Sequence, residues 1–478
     1  MKHRPLPIPV VVFLAGTLSP ALALAGGLAE AGLDLPAWAE LVRVLTFRDY
    51  NTRVVILGAT LLGLAAGLSG TFLLLRKRAL LSDTLSHATL PGIALAFILM
   101  SATLGDGKHL LGLMAGATVF AVLGTASVLA IQRYSRLKED AALGIVLSVY
   151  FGLGIALMGL ATRMAGNAAG LSSFIYGKTA SMLFSDALLI AVTALVAGLL
   201  CALFFKEFTL VCFDADFARS QGWPVARLDF FMMAIVVGVT VIGLQAVGLI
   251  LVVALLIIPA AAARFWTYRI RRMLWLSGVF GALSGLVGAG LSALMANLPA
   301  GAVIVLAASA VFLFSMIFGT ARGLLRRGLE QLRLRRRIMD ENLLRDLFEW
   351  REAGPPDRRD PGPADLTRVR AWHPGALRRT LARLQRAGAA VATAGGTMQL
   401  TAAGEEAARS VVRKHRLWEA YLISQADVAP GVVDLSADRI EHVLDAELIE
   451  RLEALFPDAR PGRPIQSPHR LGSAAARG

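Results

Sequence analysis

The chain has 478 residues, 56% of them hydrophobic and only 17% charged, with a mean hydropathy of +0.62. A water-soluble protein of this size cannot bury that much apolar surface, so the chain reads as a membrane protein. Its two cysteines, Cys201 and Cys212, exclude a disulfide framework and a four-thiolate metal centre. The net charge of +14 is unevenly spread: residues 1–319 hold 21 Lys/Arg against 13 Asp/Glu, and residues 320–478 hold 27 against 21. An apolar body is followed by a charge-rich tail long enough for a small soluble domain.

Residues 1–25 read as a targeting segment: Lys2, His3 and Arg4, an apolar stretch over 8–18, then a small-residue ending at Ala25. Cleavage after Ala25 and retention as an anchor helix are both open, and either places the 26–52 segment outside the cytoplasm. Nine apolar spans follow, at 53–75, 84–101, 110–132, 142–163, 183–205, 229–245, 247–263, 273–295 and 302–319. The 229–263 stretch is too long for one crossing, and Gly243, Gln245 and Gly248 supply a break. Nine crossings put Arg76 to Arg78, Arg133 to Lys138, the 206–228 loop, the 264–272 loop and the tail on the cytoplasmic side. Those are the basic segments, whereas the opposite loops hold little beyond Lys108 and Lys178.

Ionisable groups inside spans are costly, so each is a functional candidate. Asp83 and His87 stand four residues apart on one helix face at the start of the second span. A carboxylate and an imidazole so placed share a divalent transition ion; the structural alternative makes Asp83 a helix cap and His87 a partner of neighbouring backbone. Gln245 and Pro259 are compatible with a pathway or with packing. In the 206–228 loop, a short helix is expected with Asp214 as N-cap, Asp216 in its first turn, and Gly222 and Pro224 as stops, either a docking element or a plain connector. The sequence holds no G-x-x-x-x-G-K-[ST] phosphate loop. ATP-driven transport would need its engine on another chain.

In the tail, Arg322, Arg326, Arg327, Arg333 and Arg335 to Arg337 form a basic run over 320–339 that suits anionic lipid. A helix over 340–352, a Pro/Gly-rich break, a helix over 374–387 and a hairpin over 391–400 around Gly395 and Gly396 give the order of a winged helix-turn-helix. Leu377, Leu381 and Leu384 share one face of the 374–387 helix and Arg379, Arg383 and Arg386 another, where a DNA-reading helix would present them. His415 with Glu419, and Asp438 with Glu441 and His442, are clusters at helical spacing with mixed nitrogen and oxygen donors.

The run Leu75-Arg76-Lys77-Arg78-Ala79-Leu80-Leu81-Ser82-Asp83-Thr84-Leu85-Ser86-His87-Ala88, with Leu90-Pro91-Gly92, resembles the hallmark of the membrane permeases of ABC importers for manganese, zinc or iron. Phe213-Asp214 through Ala218-Arg219 and Gly222, and the stretch from Val247 to Ala263, resemble that family's coupling loop and following helix. The likeness covers about 50–319. It implies a metal path through Asp83 and His87, and an ATPase-docking helix carried by Asp214, Asp216, Ala218, Arg219 and Gly222. It also implies a second permease subunit, a separate ABC ATPase subunit and an extracytoplasmic metal-binding protein, with the ion as substrate and no permanently bound cofactor.

Leu400 to Gly404, Val412 to Glu419 and Arg439 to Leu444 resemble the metal-binding and dimerisation region of the diphtheria-toxin-repressor family. By that resemblance His415, Glu419, Asp438, Glu441 and His442 stand at ligand positions for manganese, zinc or iron. The first helix departs from the pattern, with Asn342 and Arg345 where that family has ligands. The expectation is an all-α polytopic inner-membrane protein whose cytoplasmic tail joins a winged-helix part at 340–404 to a helical part at 405–470. Two functions compete: a metal-import permease with a sensor-like tail, and a membrane-tethered metal-dependent transcriptional regulator that binds nucleic acid through the tail. An ATP-independent carrier is a third.

Overall fold

The computed structural model describes residues 48–76, 78–104, 109–164, 182–294, 298–354, 360–370, 372–425 and 446–456, with Val42, Val44, Thr46 and Thr179. The 1–25 segment with its cleavage site, Lys108, Lys178, Asp438, Glu441 and His442 lie outside the described residues. The chain forms two units, Met1–Arg326 and Arg327–Gly478.

The first unit is entirely helical among the described residues. Its elements are α1 Tyr50–Leu75, α2 Ala79–Leu104, α3 Leu110–Tyr134, α4 Glu139–Met164, α5 Phe184–Leu203, α6 Phe205–Phe213, α7 Ala215–Ser220, α8 Val225–Val247, α9 Leu249–Ala263, α10 Ile270–Leu294 and α11 Ala300–Phe318. Eight of these helices are long and apolar enough to cross a membrane. Every expected span is a helix, but α9 has only 15 residues, about 22 Å at helical rise.

Helix α9 nevertheless runs the same course as α11. Its entry lies beside the start of α11, where Gly301 approaches the Val247 carbonyl and Leu251. At its exit, Phe265 abuts Gly319 and its carbonyl accepts from Ala321 N at 2.9 Å, just past the end of α11. Among the described residues eight helices reach spanning length where nine spans were expected, and α9 is the one that falls short. The expected break over Gly243, Gln245 and Gly248 narrows to one residue: the helix continues through 243 and 245 and stops at Gly248, whose φ of 85° suits glycine alone. Pro259 does not interrupt its span, since α9 continues through it to Ala263, and Pro91 likewise lies inside α2.

Helix α1 is the centre of this unit, with 78% of its apolar window buried against 22% for α3, α4, α5 and α11. Sequence explains the contrast. On α1, Gly63 faces the Gly281 carbonyl of α10, Gly67 faces the Ser277 carbonyl, and Gly70 faces the Leu256 carbonyl of α9, each so closely that a Cβ would collide with backbone. The Ser277 hydroxyl donates to the Gly67 carbonyl at 2.6 Å. Lipid gives helices no hydrophobic reason to associate, so such close backbone approach is what binds them.

At the end of the bundle that holds Arg76, Arg78, Arg133 and the 264–272 loop, one carboxylate gathers several helices. Asp229 of α8 accepts from Arg76 Nη2 at 3.0 Å and from Arg78 Nη1 at 2.8 Å. Arg78 Nε also meets Glu139 of α4 at 2.6 Å, and Arg76 Nη1 donates to the Val211 carbonyl of α6 at 3.1 Å. Burial pulls the Arg78 pKa down, but Asp229 and Glu139 more than offset it, leaving the guanidinium above its ordinary value.

The second unit contains most of α12 Leu324–Glu352, then α13 Pro363–Val369, α14 Pro374–Arg386, a hairpin of β1 Ala390–Ala392 and β2 Met398–Leu400, α15 Ala402–Gln425 and α16 Ala446–Leu455. The expected basic linker and the 340–352 helix are one continuous helix. Leu, Arg, Glu and Gln favour helix there, and Gly328 alone does not stop it. A short helix, α13, begins at the far edge of the Pro/Gly break, where Pro363 fits a first turn. The strands pair antiparallel, Ala390 with Leu400, around Gly396 at φ 74°. Leu343, Leu347, Leu366, Leu377, Leu381 and Leu384 form the core. The order helix, turn, helix, hairpin is that of a winged helix.

Two predictions follow from the packing. Gly63→Val should lower stability by about 3 kcal/mol or more, read as thermal unfolding in detergent, whereas Gly152→Ala, which meets open space, should leave it unchanged. Asp229→Ala, which leaves two half-buried arginines without their shared carboxylate, should cost on the order of 3 kcal/mol in the same assay.

Candidate functional site

Asp83 and His87 both lie on α2, which starts at Ala79. Asp83 is therefore in the second turn and is not a cap, which removes that alternative. His87 Nε2 stands 3.4 Å from Asp83 Oδ1, and the two side chains are 19% and 37% exposed. Phe151 of α4 packs its ring edge-on against the imidazole, with centroids 4.8 Å apart. His87 Nδ1 is buried with no hydrogen-bond partner in the structure.

The residues around this pair are otherwise closed. Leu81, Leu85, Ala88 and Leu90 are buried. The hydroxyls of Thr84, Ser86 and Thr89 donate to the carbonyls of Leu80, Ser82 and Ser86 in their own helix. The polar groups left facing the open edge of α2 are a carboxylate and an imidazole, a donor set suited to borderline divalent ions. Among the described residues no cluster of three or more His, Cys, Asp or Glu could hold a metal. One chain thus offers two ligands here. Gln245 lies on α8, and its side chain is outside what the structure describes.

The 206–228 loop folds as two short helices. Asp214 caps α7 by accepting from Phe217 N at 2.8 Å, and Asp216 pairs with Arg219 on the surface. Ala218 is fully buried. Gly222, at φ 81°, turns the chain back, and Trp223 N donates to the Ala218 carbonyl at 3.0 Å. Sequence reasoning had passed over three exposed aromatics here: Phe213, Phe217 and Trp223. Large apolar side chains within a capped polar loop were the available signal. Arg76, which bonds both Asp229 and the Val211 carbonyl, joins this loop to the ion-pair cluster.

In the second unit the three arginines of α14 separate. Arg379 and Arg386 are exposed, each donating to a carbonyl of its own helix, while Arg383 turns back to grip Asp340 of α12 at 2.8 and 3.0 Å. Arg378, not singled out from the sequence, is exposed beside them. Asp346 of α12 is buried and accepts from Arg370 at 3.1 Å and from Trp372 Nε1 at 2.8 Å, fixing α12 to the helix-turn-helix.

His415 and Glu419 are fully buried on α15, with Nε2 of the imidazole 3.2 Å from the Glu419 carboxylate. From α12, the Arg345 side chain reaches toward them. Its Nη1 reaches His415 Nδ1 at 2.8 Å, and its Nε is 3.5 Å from Glu349. The described residues of this site do not fit a divalent ion, because a fixed guanidinium already stands against the imidazole and a carboxylate. Neighbouring Arg416 forms a second tie between the helices, to Glu352.

The sequence profile of the ABC 3 transport family matches residues 48–319. That of the iron dependent repressor, metal binding and dimerisation domain matches residues 401–469. Among similar proteins is the manganese transport system membrane protein MntC of Bacillus subtilis. It is 38% identical over 386 residues, 80% of this chain and 87% of that one, so the likeness extends into the tail. The zinc transport system membrane protein TroC of Treponema pallidum is 41% identical over 293 residues, 61% of this chain and 95% of that one. A solved structure, PsaBC from Streptococcus pneumoniae in complex with Fab, has a chain that superposes with a TM-score of 0.53 at 32% identity, covering 61% of this chain and all of that one.

Proposed function

Because the chain belongs to the ABC 3 transport family, we propose that it is the membrane permease of an ATP-driven importer of divalent transition-metal ions, manganese, zinc or iron, with a fused sensor-like tail. The observation that carries this reading is the Asp83–His87 pair, an ionisable couple on the open edge of an apolar helix with one imidazole nitrogen unpartnered. The iron dependent repressor match supports the regulatory reading of the tail.

The ion is the substrate and passes through. A carboxylate offsets part of its charge in hydrocarbon, and an imidazole supplies a borderline-soft donor. Two ligands from one chain hold an ion loosely, which suits passage, where binding must be strong enough to admit the ion and weak enough to release it. A second permease subunit facing the open edge of α2 would complete the coordination. An extracytoplasmic metal-binding protein delivers the ion, and a separate ABC ATPase subunit powers the cycle, since this sequence has no phosphate loop.

The ATPase docks on α7, where Asp214, Asp216, Ala218, Arg219 and Gly222 shape the loop and Phe213, Phe217 and Trp223 offer apolar contact. The basic end of the bundle faces the cytoplasm of the inner membrane by the positive-inside rule, which places the tail there with its arginines near anionic lipid. A tethered transcriptional regulator is the second reading, favoured by the exposed Arg378, Arg379 and Arg386 on α14. Eight helices of spanning length are far more than a tether needs.

Asp83→Ala and His87→Ala should each reduce radiometal accumulation in cells to background while the ATPase still co-purifies; normal uptake by both would remove the pair from the path. Gly222→Val, which forces a branched residue into a left-handed backbone, should uncouple ATP hydrolysis from uptake in reconstituted vesicles. Coupling equal to the parent protein would dismiss the docking role.

A further inference from the structure

We propose that Arg345 is a built-in cation that takes the place of a divalent metal between α12 and α15, so that this joint of the tail closes without metal. Arg345 Nη1 lies 2.8 Å from His415 Nδ1 and 3.3 Å from Nε2, so the guanidinium stands against both ring nitrogens. Nε2 is also 3.2 Å from the Glu419 carboxylate. A fixed cation already fills the space beside the imidazole that a metal would need.

Charge leads to the same conclusion. Arg345 and His415 are nearly inaccessible to solvent, and Glu419 is wholly so. Glu349, partly exposed, lies beside the guanidinium, and Glu419, wholly buried, lies beside the imidazole; a buried carboxylate needs a cation. The guanidinium supplies it from within the chain. Its attachment to α12 makes the link permanent: it joins α12 to α15 at any cytoplasmic metal concentration, and the Arg416–Glu352 pair repeats the tie with a second arginine. Arg345→Glu would add a third donor beside the His415 imidazole and the Glu419 carboxylate, a donor set for manganese, iron or zinc. One side chain separates a metal-independent joint from a metal-dependent one.

This inference concerns the tail alone and does not rest on the import reading. The test uses the full-length protein in detergent, in an Asp83→Ala/His87→Ala background so that the membrane path contributes no binding. Thermal unfolding and electron paramagnetic resonance titration with Mn²⁺ are compared for the Arg345 protein and for Arg345→Glu. With Arg345 present, unfolding should be the same in chelator and in Mn²⁺, and no bound Mn²⁺ should be lost on adding His415→Ala. Arg345→Glu should gain about one Mn²⁺ that His415→Ala removes, with unfolding raised by several degrees in Mn²⁺. If that variant folds only when Mn²⁺ is supplied, the proposal is upheld in its strongest form. A bound Mn²⁺ in the Arg345 protein that His415→Ala or Glu419→Gln abolishes would overturn it, as would an Arg345→Glu protein whose binding and unfolding ignore Mn²⁺.

Discussion

The membrane unit depends on backbone touching backbone. Apolar side chains gain nothing by leaving lipid for a helix interface, so the helices must be held by close packing and by hydrogen bonds between them. Helix α1 meets that requirement with glycines set against carbonyls of α10 and α9, and with the Ser277 hydroxyl bonded to the Gly67 carbonyl. With α1 and α10 fixed side by side, α9 can be short and still be held along its length. The outer helices α3, α4 and α5 expose their leucines and valines, as lipid-facing helices do.

Charge is confined to a few places, and each has a different use. At the basic end, Asp229 neutralises Arg76 and Arg78 and ties α8 to the α1–α2 turn, to α4 through the Arg78–Glu139 pair and to the 206–228 loop through the bond from Arg76 to Val211. A movement of that loop is therefore mechanically continuous with the start of α2, the helix that carries Asp83 and His87. In the tail, charges pair between elements: Asp346 with Arg370 and Trp372, Arg383 with Asp340, Arg416 with Glu352. The membrane pair keeps a buried imidazole nitrogen without a hydrogen-bond partner.

Much of this was legible in the sequence because its signals are local. Long apolar runs gave the spans, the Gly248 break was within the expected window, and the Asp214 cap and Gly222 stop were read from residue type alone. Long-range partners were not legible. Asp229 lies some 150 positions from the arginines it gathers, and nothing near it marks it out. Arg383 looked like part of a basic face because the periodicity of one helix cannot show Asp340 on another. Arg345 was recognisable as a residue that does not ligate, yet its actual role needed the distance to His415. The continuity of α12 was missed because a change in charge density resembles a boundary, although helix propensity persists across it.

Pro91 carries a last consequence. A proline has no amide hydrogen, so in α2 it cannot supply the bond that would normally engage the carbonyl four residues earlier, and that carbonyl belongs to His87. The turn holding the imidazole thus also carries a main-chain oxygen deprived of its usual helical donor. A neutral dipole of this kind adds electron density to the low-dielectric interior at much smaller solvation cost than a third ionisable side chain would.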